Sequence, residues 1–324
     1  RRALRSGWWT ASFSALTREL IPLGAESALP PSEREARLED AQADSLPLLS
    51  PELAATDTGQ VSLPGAWDEF PAGSRYGTLL HDLLEWQAQR GWPIARSAED
   101  GGDGAELERE WAALLARQAL ALKLDETQAA ALAPWVQQLA RAELHWPGNA
   151  QPLVLGALAP AQYWAEMAFS LPVRSLSAQA LDALISQRVL PGQPRPALQP
   201  RQLEGMLTGF MDLVVEHQGR YHVLDYKSNQ LPAYDAAAMQ QAMAHSEYDL
   251  QALIYTLALH RWLRFRLGDG YDYARDFGGI RYLFCRGLDA TRGDSPGIHA
   301  QRFTPELIAA LDALFGHART EAAA

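Results

Sequence analysis

The sequence predicts an α/β domain: a mixed central sheet with flanking helices, and helical additions on the N-terminal side of the core. Three observations carry this. Apolar residues recur at helical spacing in several separate segments. Stretches rich in Val, Ile, Phe and Tyr, bounded by Gly or Pro, interrupt them. The order helix, strand, hairpin, helix, strand, helix then places the strands in one sheet with helices over it. With 324 residues, 48% of them hydrophobic, the chain can bury a full core.

Taken in order, residues 7–20 (GWWTASFSALTREL) read as a short apolar segment entering a helix, with Ser12 or Ser14 as N-cap. Residues 22–75 are rich in Pro, Ala, Ser and Glu without sustained periodicity, which predicts a tether or long loop. From Gly77, leucines at 79, 80, 83 and 84 give an amphipathic helix, and GGDG at 101–104 breaks the chain. Residues 105–122 and 127–143 form two more helices, the second capped by Asp125 or Thr127. YWAEMAFSLPV (163–173) is a strand ending at Pro172, and 191–200 is a loop. A hairpin covers 203–227, and 239–267 is one long helix or two in series. A strand at 278–288 and a closing helix at 304–318, begun by Thr304, Pro305 and Glu306, complete the order.

Composition narrows the function. The single cysteine, Cys285, excludes a disulfide framework, a zinc ribbon and an iron–sulfur cluster, and makes a reduced, cytoplasmic setting the expectation. No run of 18 uncharged apolar residues and no signal-peptide pattern is present, so no membrane association is expected. The net charge of −11 argues at first against nucleic acid, but the charge is uneven. Residues 1–200 carry −8 and residues 201–324 only −3, with an arginine series at 261, 264, 266, 275, 281, 286 and 292. Of 28 basic residues 26 are arginine; the lysines are Lys123 and Lys227. A lysine placed two residues from an aspartate in an apolar strand implies a need for its compact, adjustable charge.

That lysine lies in LTGFMDLVVEHQGRYHVLDYKSNQ (207–230). A two-residue turn at Gln218-Gly219 pairs His217 with Arg220 and, counting outward, sets Asp212 opposite Asp225. Directly opposed β carbons lie roughly 4.5–5.5 Å apart, and Lys227 shares a face with Asp225. Two facing buried carboxylates repel, so one must protonate or a cation must lie between them. The residues alone leave two readings open: a site for a hard cation such as Mg²⁺, or a structural salt bridge from Lys227 to Asp225 or Asp212.

Five segments in order, GTLLHDLLE, AEMAFSLP, GMLTGFMDLVVEHQGRYHVLDYKSN, YDLQALIYTLALHRWL and FGGIRYLFCRG, resemble the RecB-type nuclease domains of the PD-(D/E)XK superfamily. The resemblance runs from about Thr10 to the last helix; 22–75 and 88–150 carry little of it. It implies a restriction-endonuclease-like core with helical N-terminal additions. Residues 1–75 become an N-terminal segment and tether, and 76–324 the nuclease domain, helical over about 76–150 and catalytic over about 160–324. Asp212 is preceded by Met211 where the superfamily pattern has proline, a difference usual in the RecB branch.

By this resemblance His81, Asp212 and Asp225 ligate Mg²⁺ together with the Tyr226 carbonyl, and Ca²⁺ occupies the site without supporting cleavage. Lys227 becomes the catalytic lysine, with Glu166, Gln251 and Tyr255 in support. Arg261, Arg264 and Arg266 are weaker expectations for DNA contact. Each has a plainer alternative: a surface histidine, a salt-bridged Glu166, a packed Gln251–Tyr255 pair, a solvated arginine face. The implied activity is Mg²⁺-dependent phosphodiester hydrolysis of DNA, in double-strand break repair and degradation of foreign linear DNA, leaving a 5′ phosphate and a 3′ hydroxyl. Neither lysine follows a GxxxxGK[ST] loop, and the chain opens RRALRSGWWT without methionine. It is therefore expected to be a fragment whose helicase portion lies elsewhere in the polypeptide, with RecC-like and RecD-like partners. The alternatives are a non-catalytic partner- or DNA-binding module that keeps the fold, and another PD-(D/E)XK exonuclease of AddB-like or phage type.

Overall fold

The computed structural model describes residues 70, 73–95, 104–189, 191, 197–198, 202–288 and 296–316, with the backbone of 9–12. Six strands form one mixed sheet: β1 (Trp9–Ser12), β2 (Tyr163–Ser177), β3 (Gln202–His217), β4 (Arg220–Lys227), β5 (Phe277–Phe284) and β6 (Ile298–Gln301). β3 is the hub. β2 runs antiparallel along one of its edges, while β1 (parallel) and β4 (antiparallel) share the other. β4 then pairs in parallel with β5, and β6 adds antiparallel.

The helices among the described residues are α1 (Ser74–Gln89), α2 (Gly104–Leu122), α3 (Glu126–Arg141), α4 (Ala178–Arg188), α5 (Ala236–His245), α6 (Tyr248–Leu267), the single turn α7 (Tyr273–Asp276) and α8 (Pro305–Leu314). They make two cores. Leu79, Leu80, Leu83 and Leu84 of α1 pack with α3 against Leu213, Leu224 and Leu283 on one face. α4, α5, α6 and α8 pack on the other, against Val214, Val223, Ile280 and Tyr282. Each α1 leucine is fully buried and contributes roughly 1.5–3 kcal/mol. Asp125 caps α3 through a reciprocal box with Gln128, and Thr304 caps α8 through Leu307 N–H.

Several expectations need correction. Residues 9–12 are a strand that takes in Ser12: they align with Gly205–Thr208, and Trp and Thr suit a pleated ladder, while the helix expected after them lies outside the described residues. Ser14 and most of the expected tether at 22–75 lie outside the described residues. β2 does not stop at Pro172 but passes through it, opposite Met206, to Ser177. Among the described strands β2 pairs with β3 alone, and an edge strand tolerates a missing N–H. Of the two arrangements expected for 239–267 the structure has two helices in series, because Glu247 adopts a left-handed backbone (φ 55°) between them. The strand at 278–288 is shorter, ending at Phe284. α4 and β6 have no counterpart in the sequence reading.

Candidate active site

The site is built at the open end of the β3–β4 hairpin. At the closed end Gln218 and Gly219 both have positive φ (53° and 71°), the mirror-image turn that suits twisted strands. The ladder then runs from His217↔Arg220 to Leu213↔Leu224 in the expected register, and stops. Asp212 and Asp225 are the next residues, one step past the last pair. The Tyr226 N–H donates instead to Asp212 Oδ2 at 2.8 Å. β4 continues along β5 as far as Lys227↔Phe284, so β3 and β4 part like a fork.

β2 marks the same place. Ala165 pairs with Leu213 and Met167 with Met211, but the facing residues between them, Glu166 and Asp212, do not pair. Glu166 holds φ 47°, a left-handed conformation that costs about 1–3 kcal/mol in a non-glycine residue. Met211 packs into the α5–α6 core and Leu213 into the α1–α3 core. Residues two apart in a straight strand share a face, so β3 rotates at Asp212. The expected Asp212–Asp225 ladder pair is thus replaced by an opening. Two desolvated carboxylates held face to face would repel; here Asp212 turns to a peptide N–H and an imidazole instead.

Around the fork the charges interlock. The His81 ring, carried by α1, lies with Nε2 2.9 Å from the Tyr226 carbonyl and Nδ1 3.5 Å from Asp212 Oδ2. Lys227 and Asp225 are both about 2% exposed and form an ion pair at 2.8 Å. Burial pushes the Asp212 carboxyl up, but His81, the Lys227 ammonium and the Tyr226 N–H together hold it below the usual range. Glu166 moves the other way, pushed up to about 8 by burial and by the Asp212 charge, with Glu85, His81 and Asp225 also acting on it. None of those neighbours is an arginine. Glu85 is also raised, first by burial and then by Asp82, with Asp212 adding to it. Glu85 was signalled in the sequence only by its spacing of four from His81.

The remaining expected residues separate. Gln251 and Tyr255 are buried in α6 and bonded to each other at 3.2 Å. Gln251 Oε1 also accepts from Tyr282 of β5 at 3.0 Å. Arg261 is clamped to α8 through Asp312 Oδ1 (2.6 Å), the Asp312 carbonyl and the Gly316 carbonyl. Arg264 reaches Asp312 Oδ2 at 3.4 Å, and Arg266 lies over the Trp262 ring. The structure thus gathers His81, Glu166, Asp212, Asp225, Tyr226 and Lys227, and sets the three arginines apart on α6. Sequence reasoning missed Tyr248 and Tyr282, which flank Lys227; Tyr282 lies opposite Asp225 in the β4–β5 register.

Carboxylate oxygens, a peptide carbonyl and one imidazole nitrogen suit a hard divalent cation. Adjacent ligands of an octahedral ion, each at about 2.0–2.1 Å, lie about 3 Å apart. The 2.9 Å contact of His81 Nε2 with the Tyr226 carbonyl matches that spacing, while Nδ1 of the same ring faces Asp212 Oδ2 at 3.5 Å. Among the described residues, however, no three His, Cys, Asp or Glu side chains close into a cage, and Asp225 is paired with Lys227. The donor set fits an ion that takes Asp225 from the ammonium.

The pattern of the PD-(D/E)XK nuclease superfamily matches residues 62–323 of the chain. The chain belongs to the PD-(D/E)XK nuclease superfamily. Members of that superfamily generally use divalent metal ions. Within it, the chain is similar to RecBCD enzyme subunit RecB of Escherichia coli (strain K12), 38% identical over 257 residues, covering 76% of this chain and 19% of that protein. RecB of Haemophilus influenzae is 40% identical over 253 residues, with the same coverage. RecB of Mycolicibacterium smegmatis is 27% identical over 339 residues, covering 97% of this chain and 29% of the relative. The chain therefore spans about a fifth of the length of the first two.

Proposed function

We propose that this chain is the Mg²⁺-dependent DNA nuclease module of a RecB-type helicase–nuclease of the exodeoxyribonuclease V kind. Its work would be double-strand break repair and degradation of foreign linear DNA in the cytoplasm. The helicase portion would belong to the same polypeptide, and RecC-like and RecD-like subunits would be its partners. Among the described residues no helix is long and apolar enough to cross a membrane. The observation that carries the reading is the fork, where two aspartates, a histidine, a peptide carbonyl and a buried lysine meet although the ladder could have continued.

Asp212, Asp225, His81 and the Tyr226 carbonyl would hold the ion. When bound, Mg²⁺ polarises a phosphate oxygen and lowers the pKa of water. Lys227 would orient the attacking water and offset the charge that grows on the phosphate, a role whose removal commonly lowers rates by about 10²–10³-fold. Glu166, which keeps a proton up to about pH 8, would supply a further carboxyl beside Asp212. Gln251 and Tyr255 act from within the core on Tyr282 rather than on DNA.

A second reading, a module that keeps the fold without catalysis, has one observation behind it: the Lys227–Asp225 ion pair already neutralises the buried acid. The two part on one experiment. Titrating metal-stripped protein with Mg²⁺ and Ca²⁺, and assaying linear DNA, should give saturable binding of both ions and cleavage with Mg²⁺ alone. No cleavage by folded, Mg²⁺-loaded protein would favour the second reading, and undiminished cleavage by correctly folded Asp225→Ala protein, or in excess chelator, would overturn the assignment of this metal-dependent site.

A further inference from the structure

Lys227 sits on an aromatic floor. Its ammonium lies 4.2 Å from the Tyr248 ring centroid and 5.5 Å from that of Tyr282. The two rings are stacked at 5.7 Å with 16° between their planes, and both are fully buried. Their hydroxyls are anchored. Tyr282 Oη lies 3.0 Å from both the Tyr248 carbonyl and Gln251 Oε1, sharing one proton between two acceptors. Tyr248 Oη donates to Asn229 Oδ1 at 3.2 Å. The floor thus takes one ring from the start of α6 and one from β5, tied to each other and to the segment that follows Lys227.

The arrangement bears on a difficulty in the proposed site. A lysine ammonium ends a four-carbon stem with several rotatable bonds. Here a carboxylate holds it, and that carboxylate is also the group a divalent ion would take. Once Asp225 is shared with an ion, the pair weakens, and a lysine about 2% exposed would lose part of the counter-charge that holds it. The negative face of an aromatic ring attracts a cation, most strongly when both are out of water. Two anchored rings beneath the ammonium keep that attraction whether or not Asp225 is engaged.

We infer that Tyr248 and Tyr282 are positioning residues for Lys227: a stacked aromatic cradle that holds the ammonium in place when a divalent ion engages Asp225. This also gives Gln251 a task, since it fixes the Tyr282 hydroxyl, and Tyr255 a task, since it fixes Gln251. The inference rests on the nuclease reading for its importance to catalysis. It does not need that reading for its geometry.

The chain's two lysines make the geometry directly measurable. Lysine-selective ¹³C labelling of the whole chain gives side-chain signals from Lys123 and Lys227 alone. The Lys227 ε-CH₂ protons should resonate clearly upfield of those of Lys123, through the ring currents of two tyrosines. The shift should largely persist when Ca²⁺ is added, and it should shrink in Tyr248→Leu but survive in Tyr248→Phe, which keeps the ring. In cleavage assays Tyr248→Leu should lower kcat at least tenfold with KM for DNA and Ca²⁺ affinity little changed, and Tyr248→Phe should restore kcat to within about threefold. Ordinary shifts for Lys227 in the unsubstituted protein, or loss of the upfield shift on adding Ca²⁺, would overturn the cradle whatever the enzyme does. Upfield shifts together with full activity in Lys227→Ala would leave the cradle standing and sink the catalytic reading instead. Equal kcat in Tyr248→Leu and Tyr248→Phe would show the rings to be packing alone.

Discussion

The two ends of the β3–β4 hairpin obey opposite rules. At the turn, Gln218 and Gly219 take the left-handed backbone that twisted strands require, and five successive pairs follow without interruption. At the far end the ladder stops with room to continue, Glu166 holds a strained backbone, β3 rotates, and three acids, a histidine and a lysine collect in the gap. The turn end satisfies its backbone groups with each other. The fork gives up part of that pairing, and an aspartate side chain takes the N–H that pairing released. Regularity serves the fold at one end, and irregularity makes room for chemistry at the other.

The contrast predicts that substitutions at the fork remove activity out of proportion to their effect on stability, and that substitutions at the turn do the reverse. The largest effect is expected for Asp225→Ala: no detectable cleavage of linear DNA, with the circular dichroism of the folded protein retained. Lys227→Ala should follow, with cleavage down by about 10²–10³-fold and divalent binding, measured by calorimetry, largely preserved. Loss of Ca²⁺ binding in that variant would mean that the lysine shapes the ion site rather than the reaction. His81→Ala should weaken Ca²⁺ binding by at least about tenfold; an unchanged isotherm would remove His81 from the ligand set.

The acid facing Asp212 gives a smaller effect with a definite sign. In the folded, metal-stripped chain Glu166 keeps its proton to about pH 8, whereas the unfolded chain loses it near the ordinary 4.5. Between those values the folded state holds the extra proton, so its stability falls as pH rises through that window. Glu166→Gln should flatten this decline in denaturant titrations run from pH 5 to 8. An identical slope in both proteins would place Glu166 outside the carboxylate cluster. The smallest effect belongs to the turn. An added methyl at Gly219 meets nothing within 4 Å, so Gly219→Ala has only its left-handed backbone (φ 71°) to overcome, about 1–2 kcal/mol. Cleavage per folded molecule should not change; a loss comparable to that of the fork variants would end the division between the two ends.

Much of this was legible locally. The α1 leucines repeat at helical spacing, Asp125 and Thr304 stand where helix caps belong, and one Gln-Gly turn sets the register of five strand pairs. These signals act between residues a few positions apart, so a linear reading reaches them. The resemblance added the expected ligands, and it did so without geometry. What it could not supply depends on partners far apart in the chain. Trp9–Ser12 becomes a strand only because β3 offers an edge to it nearly two hundred residues later. Pro172 is tolerated in β2 because β2 is an edge strand, a property of the sheet and not of the segment.

The register of the hairpin was thus written in its turn, while the fork at its open end was settled in three dimensions. Like charges brought out of water must be separated or neutralised, and the groups able to do so come from α1, β4, β5 and α6. No pattern within a single segment records which of them will arrive. Arg261 makes the same point from the other side: its place in a basic series left a solvated face or a phosphate contact open, and only the fold sets it against Asp312.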